Sequence, residues 1–224
     1  MKIPPHRLSG SGHIENYRHV PYALIFPLYL VIFFVTEQIV TDNYWVSYLP
    51  LDAHIPFNEW FVIPYVLWYP FMLVTGFYLM FHDAVEFKRY MLYIAVGFYG
   101  ACVVYLLFPN GQDLRPAQMP RENVLTTILG WLYAHDTNTN VLPSTHVIGC
   151  MGVCFAVFHC KRIHSTLLKA GTVFLALLIC ASTVFVKQHS ILDFFVAVPF
   201  SLLVYWIVYH IGWPKLRREA KKAT

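Results

Sequence analysis

The segment Pro21-Tyr-Ala-Leu-Ile-Phe-Pro-Leu-Tyr-Leu-Val-Ile-Phe-Phe-Val-Thr-Glu-Gln-Ile-Val40 decides the fold. It holds no Lys or Arg, and its one acid, Glu37, falls close enough to the far end to reach an interface. About 20 such residues form a helix long enough to cross the hydrocarbon layer of a bilayer. Working outward, similar apolar stretches recur at 60–81, 91–108, 144–160, 170–186 and 191–213. Six spans would occupy about 120 residues, more than half of a chain of 224, leaving short connections and little room for a soluble domain. The reading is all-α: a polytopic membrane protein, a six-transmembrane-helix bundle forming a single domain over 1–224.

Composition agrees. The chain is 58% hydrophobic and 17% aromatic, and only 12% charged, against about 25% for a soluble domain. Disorder is excluded, because so apolar a chain buries itself somewhere. Prolines inside the spans, such as Pro27, Pro64, Pro70 and Pro199, are tolerated in membrane helices where neighbours satisfy the freed carbonyls. Five cysteines, Cys102, Cys150, Cys154, Cys160 and Cys180, lie in or beside apolar runs. An odd number so placed makes no disulfide framework, and they read as small buried hydrophobes.

The net charge of +4 is a topology signal rather than a nucleic-acid footprint, which would need the bases gathered on one exposed face. With the N-terminus inside, the inner segments hold Lys2, Arg7, Arg18, Lys88, Arg89, Lys161, Arg162, Lys169, Lys215, Arg217, Arg218, Lys221 and Lys222. The outer segments hold only Arg115, Arg121 and Lys187. That asymmetry predicts both termini cytoplasmic. The first span is too long for a signal core and lacks a small-residue cleavage site, so it is expected to be retained.

Three outer strings carry chemistry: Phe108-Pro-Asn-Gly-Gln-Asp-Leu-Arg-Pro116, Pro143-Ser-Thr-His146, and Ser182-Thr-Val-Phe-Val-Lys-Gln-His-Ser-Ile-Leu-Asp193. His189 and Asp193, four apart, share one helix face, so the carboxylate can hold one imidazole nitrogen and leave the other to attack. His146 lies in the first turn of a helix, where open N–H groups and the dipole favour an anion, with the hydroxyls of Ser144 and Thr145 beside it. Arg115 offers a bidentate guanidinium. Two histidines divide phosphoryl transfer between a nucleophile and a general acid, and no cofactor is required. His146, His189 and Asp193 could instead ligate zinc.

These strings resemble the type 2 phosphatidic acid phosphatase (PAP2) superfamily of membrane lipid phosphatases and phosphotransferases. That family carries Lys, six residues, Arg-Pro; then Pro-Ser-Gly-His; then Ser-Arg, five residues, His, three residues, Asp. The likeness covers 108–193 in order and spacing, and the six-helix layout extends it over nearly the whole chain. It implies His189 as nucleophile, Asp193 as its orienting carboxylate and His146 as general acid, with Arg115, Ser144 and Ser182 in the phosphate-binding motifs. Phe108 stands where the first-motif Lys belongs, Thr145 replaces Gly and Thr183 replaces the third-motif Arg. Two cations of the pattern are therefore missing, and Lys187 is the candidate to supply one. Sphingomyelin and inositol phosphorylceramide synthases depart from the cationic positions in a similar way.

The expectation is an integral membrane enzyme whose site faces the outside, periplasm or lumen and hydrolyses a lipid phosphate monoester through a phosphohistidine. The alternatives are transfer of a phospho-headgroup between lipids, and a non-catalytic lipid-binding or transport protein. The expected partner is a membrane lipid. Asn110, Gln112 and Asp113 could touch its headgroup. Residues 122–134 read as an amphipathic helix beside the site, with Val124, Leu125, Ile128, Leu129 and Leu132 on its apolar stripe.

Overall fold

The computed structural model describes residues 18–41 and 43–211. The leader bases Lys2 and Arg7 and the tail bases from Lys215 to Lys222 lie outside the described residues. The chain forms helices α1 (Val20–Ile39), α2 (Glu59–His82), α3 (Ala84–Leu107), α4 (Val124–His135), α5 (Thr145–His159), α6 (Thr166–Phe185) and α7 (Ile191–Ile211). Two short strands, β1 (Trp45–Val46) and β2 (Asn110–Gly111), pair in parallel and tie the α1–α2 connection to the segment leaving α3.

Five of the helices, α1, α2, α3, α6 and α7, are long and apolar enough to cross a membrane. The expected fourth span is different. Helix α5 has fifteen residues, about 22 Å at 1.5 Å per residue, short of the ~30 Å hydrocarbon layer. It is also the most enclosed helix, packed against α2, α3, α6 and α7, with ten of its residues buried. A helix enclosed over most of its surface by protein need not match the bilayer thickness. Close approach is possible because it carries glycine where side chains press on it: a Cβ at Gly149 would stand 2.6 Å from Met72 Sδ and 2.8 Å from Trp68 Nε1.

The third span begins earlier than its hydropathy indicates, at Ala84 rather than 91, so Lys88 and Arg89 lie on a helix. One residue, Asp83, separates α2 from α3, and its carboxylate caps the new helix by accepting from Glu86 N at 3.0 Å. Midway, Ala95–Tyr99 widens into a π-helical turn. The cysteines are all free, four buried and Cys154 half-buried. Helix α4 is capped by Asn123, whose side chain accepts from Leu125 N and Thr126 N. It buries Leu129 and Leu132 but exposes Val124 and Ile128. Its apolar surface therefore runs around the helix instead of along one stripe.

Candidate active site

The α6–α7 turn sets the nucleophile. Backbone N–H groups of Gln188 and His189 both donate to Thr183 O, at 2.9 and 3.1 Å. Ser190 then caps α7, and Asp193 reaches back to accept from Ser190 N at 3.0 Å. The same oxygen, Asp193 Oδ2, lies 3.0 Å from His189 Nδ1. Asp193 is fully buried, and its other oxygen accepts from Ser47 Oγ at 2.5 Å. A carboxylate on Nδ1 fixes that proton and leaves the Nε2 lone pair outward. Nε2 lies 3.4 Å from Ser144 Oγ.

Ser144 begins α5, yet its hydroxyl caps nothing in that helix. The first N–H groups of α5 thus lack a side-chain cap, the condition under which a helix start accepts an anion. In the first turn, His146 is held between the rings of Tyr65 and Trp68, at centroid distances of 4.5 and 4.4 Å. It faces His189 edge-on at 5.7 Å. The ring is 93% buried, and neither nitrogen has a hydrogen-bond partner. A buried imidazole without partners is costly, so the arrangement calls for a ligand group between the two histidines.

The three outer bases go elsewhere. The Arg115 guanidinium donates to Tyr133 O (3.2 Å), Asp136 O (2.9 Å), Thr137 O (2.7 Å) and Gln188 Oε1 (3.0 Å from Nε). Tyr133 stacks over it at 4.6 Å. The implied phosphate ligand is committed to the loop that ends α4. Lys187, in the left-handed region at φ 54, sends its ammonium to Asp52 O (3.1 Å) and Ile55 O (2.6 Å). Arg121 pairs with Glu59 through Nε at 2.8 Å.

Two further expected contacts are structural in the same way. Gln112 is buried and bridges Lys187 O and Leu114 N. Ser182 donates to Ile179 O within its own helix. Asn110 pins the approach to α5, accepting from Val141 N and Leu142 N, and Asp113 accepts from Tyr44 OH.

Sequence reasoning missed three residues that border the site, Ser47, Asp52 and Asp136. Ser47 holds Asp193. Asp52 accepts from Ser190 Oγ (2.6 Å) and Ile191 N (2.9 Å), bracing the start of α7. Asp136 and Glu37 both lie at the loop that ends α4. Glu37, near the end of α1, is buried and accepts from Thr137 N and Thr137 Oγ1. Asp136 accepts from Gln188 Nε2 (3.0 Å) and Tyr65 OH (3.3 Å). Burial raises its carboxyl above the usual range, while Arg115 pulls the other way. The available signal was an acid in so charge-poor a chain, four residues after Leu132 on a helix that borders the site.

These groups surround a cavity of about 290 Å³ lined by Thr145, His146, Gln188, His189 and Asp136, and walled by aromatic residues of α1 and α2. No Lys or Arg is among its lining residues. Among the described residues, no three His, Cys, Asp or Glu side chains are grouped so as to hold a metal ion, and Asp193 serves His189 Nδ1 rather than standing beside it as a co-ligand. The chain matches no protein-family model, no curated protein and no solved structure.

Proposed function

We propose that the chain is an integral membrane lipid phosphoesterase working through a phosphohistidine on His189. In this reading α5 crosses enclosed by four longer helices, both termini are cytoplasmic, and the site opens on the opposite side. One observation carries the reading: His189, fixed by buried Asp193, faces across 5.7 Å a buried His146 whose two nitrogens have no partner. Both stand at the uncapped start of α5.

The chemistry follows from the geometry. His189 Nε2 attacks phosphorus as the bond from phosphorus to the lipid alcohol oxygen breaks. His146 gives that oxygen its proton. The open N–H groups of α5 receive the phosphoryl oxygens, where charge develops. His146 then takes a proton from the acceptor hydroxyl, which attacks phosphorus and releases His189. Water as acceptor gives hydrolysis, and a lipid alcohol gives headgroup transfer. A phosphodiester substrate is favoured over a monoester because no Lys or Arg lines the cavity to meet a dianion.

Purified protein given a lipid labelled at phosphorus should yield an acid-labile, base-stable phosphoenzyme lost in His189→Ala. Turnover should fall by about 10³-fold or more in that variant and by about 10²–10⁴-fold in His146→Ala. Unchanged turnover in both variants would defeat the reading, and the labelled product separates hydrolysis from transfer.

A further inference from the structure

Between α2 and α6 runs a cleft of about 1060 Å³, larger than the cavity beside the histidines and sharing no lining residue with it. We propose that this cleft binds one anionic phospholipid of the leaflet that meets the Lys161–Arg162 end, with an acyl chain between α2 and α6 and the phosphate on Arg162. The inference rests on α2 and α6 being long and apolar enough to cross a membrane, and is independent of the phosphohistidine reading.

Polarity is the first argument, because it is divided along the cleft. Leu67, Val74 and Leu175 line its depth, while Arg162, His164 and Ser165, from the connection between α5 and α6, stand at one end. Two threonines on the wall offer little to a polar guest: Thr75 Oγ1 donates to Phe71 O and Thr172 Oγ1 to Leu168 O, both at 2.9 Å. A wall that is polar at one end and apolar along its length matches an amphiphile whose headgroup stays at the membrane surface.

Length is the second. From Leu67 to Leu79, both lining residues, the α2 wall runs about 18 Å at 1.5 Å per residue. One leaflet has a similar depth, half of the ~30 Å hydrocarbon layer. Helix α6 leaves the space open, since a Cβ at the lining residue Gly171 would meet nothing within 4 Å.

Charge is the third, and it selects the headgroup. Arg162 lines the cleft, and no Asp or Glu does. Among the described residues its guanidinium has no hydrogen bond or ion pair, whereas Arg89, Arg115, Arg121 and Lys187 are each held by carboxylate or carbonyl oxygens. An unengaged guanidinium offers a phosphate two parallel donors. The positive end of the α6 dipole begins beside it, three residues before Lys169 N returns to Ser165 O, and adds to the attraction. An ammonium headgroup would find no carboxylate on this wall. Basic pockets between membrane helices are where acidic lipid headgroups bind at a cytoplasmic face.

The test uses the full chain in neutral detergent, with native mass spectrometry reading the retention of dioleoyl phosphatidylglycerol and dioleoyl phosphatidylcholine. One phosphatidylglycerol should be held at least about fivefold more tightly than phosphatidylcholine, and Arg162→Gln should cut that margin below about twofold. Arg18→Gln, which removes a base next to α1 at the same end, should leave the margin unchanged. Gly171→Phe, which fills the cleft, should weaken both lipids. A measurement without any variant keeps the test decisive should these proteins misfold: phosphatidylglycerol carrying a diazirine in its acyl chain should attach on irradiation to α2 and α6. Equal retention of the two lipids, an equal loss in Arg18→Gln and Arg162→Gln, or attachment spread evenly over α1 and α7 would overturn the site. His189→Ala should retain phosphatidylglycerol as the parent does, and loss of the lipid there would move it to the histidine cavity and defeat the proposal. Failure to find a phosphoenzyme would remove the catalytic reading and leave this site standing.

Discussion

Arg115 shows how far a single residue can be read from its neighbours in sequence. Arg-Pro at the end of a family-like motif implies a phosphate ligand, but four acceptors already hold the guanidinium, and they come from residues 18 to 73 positions away. Lys187 is similar, its ammonium being anchored 132 and 135 positions back. By contrast, the pairing of His189 with Asp193 and the place of His146 were legible because they depend on i,i+4 spacing and on lying at a helix start, both local properties. The two views of Arg115 separate experimentally. Arg115→Ala leaves three carbonyls and an amide oxygen short of donors, and each buried orphan costs about 1–3 kcal/mol. The expected outcome is a clear fall in melting temperature in detergent, with Arg115→Lys restoring only part, because ammonium cannot serve that fork of acceptors. A phosphate ligand would give the opposite pattern: an unchanged melting temperature and a raised KM.

Helix α5 is where element-scale reading was least complete. Its apolar run announced a span, but its enclosure by four neighbours depends on contacts that hydropathy does not record. The early start of α3 was hidden for a related reason: Lys88 and Arg89 look like a loop until Asp83 is recognised as a cap. Enclosure also ties α5 to the chemistry, because the Trp68 ring that packs over Gly149 is one of the two that hold His146. Gly149→Ala therefore reaches the site without touching it. The added methyl must displace Trp68 or Met72, an overpacking that costs about 1–3 kcal/mol. Turnover should fall at least tenfold through kcat, as His146 loses its fixed place. Gly171→Ala, at an exposed position of α6 with nothing within 4 Å of the added Cβ, should leave both stability and turnover near those of the parent. Equal behaviour of the two variants would separate the packing of α5 from the site.

For the whole molecule, the distribution of charge gave a direction that the fold can express but does not itself reveal. The cavity, the uncapped start of α5 and the α6–α7 turn gather at one end of the bundle. At the other end lie Asp83 between α2 and α3, and Lys161 and Arg162 between α5 and α6. If the positive-inside asymmetry governs insertion, the first end is exterior and the proposed lipid substrate would come from the outer leaflet. The five native cysteines assist the test, since four are buried and Cys154 is half-buried within α5, leaving little background for a large charged thiol reagent. Gln118→Cys, at an exposed position between β2 and α4, should label with an impermeant maleimide in intact cells. Arg162→Cys, exposed at the opposite end, should label only after permeabilisation. The reverse pattern would invert the orientation and place the histidines on the cytoplasmic side. Their chemistry could be retained there, but the lipid would have to be drawn from the inner leaflet.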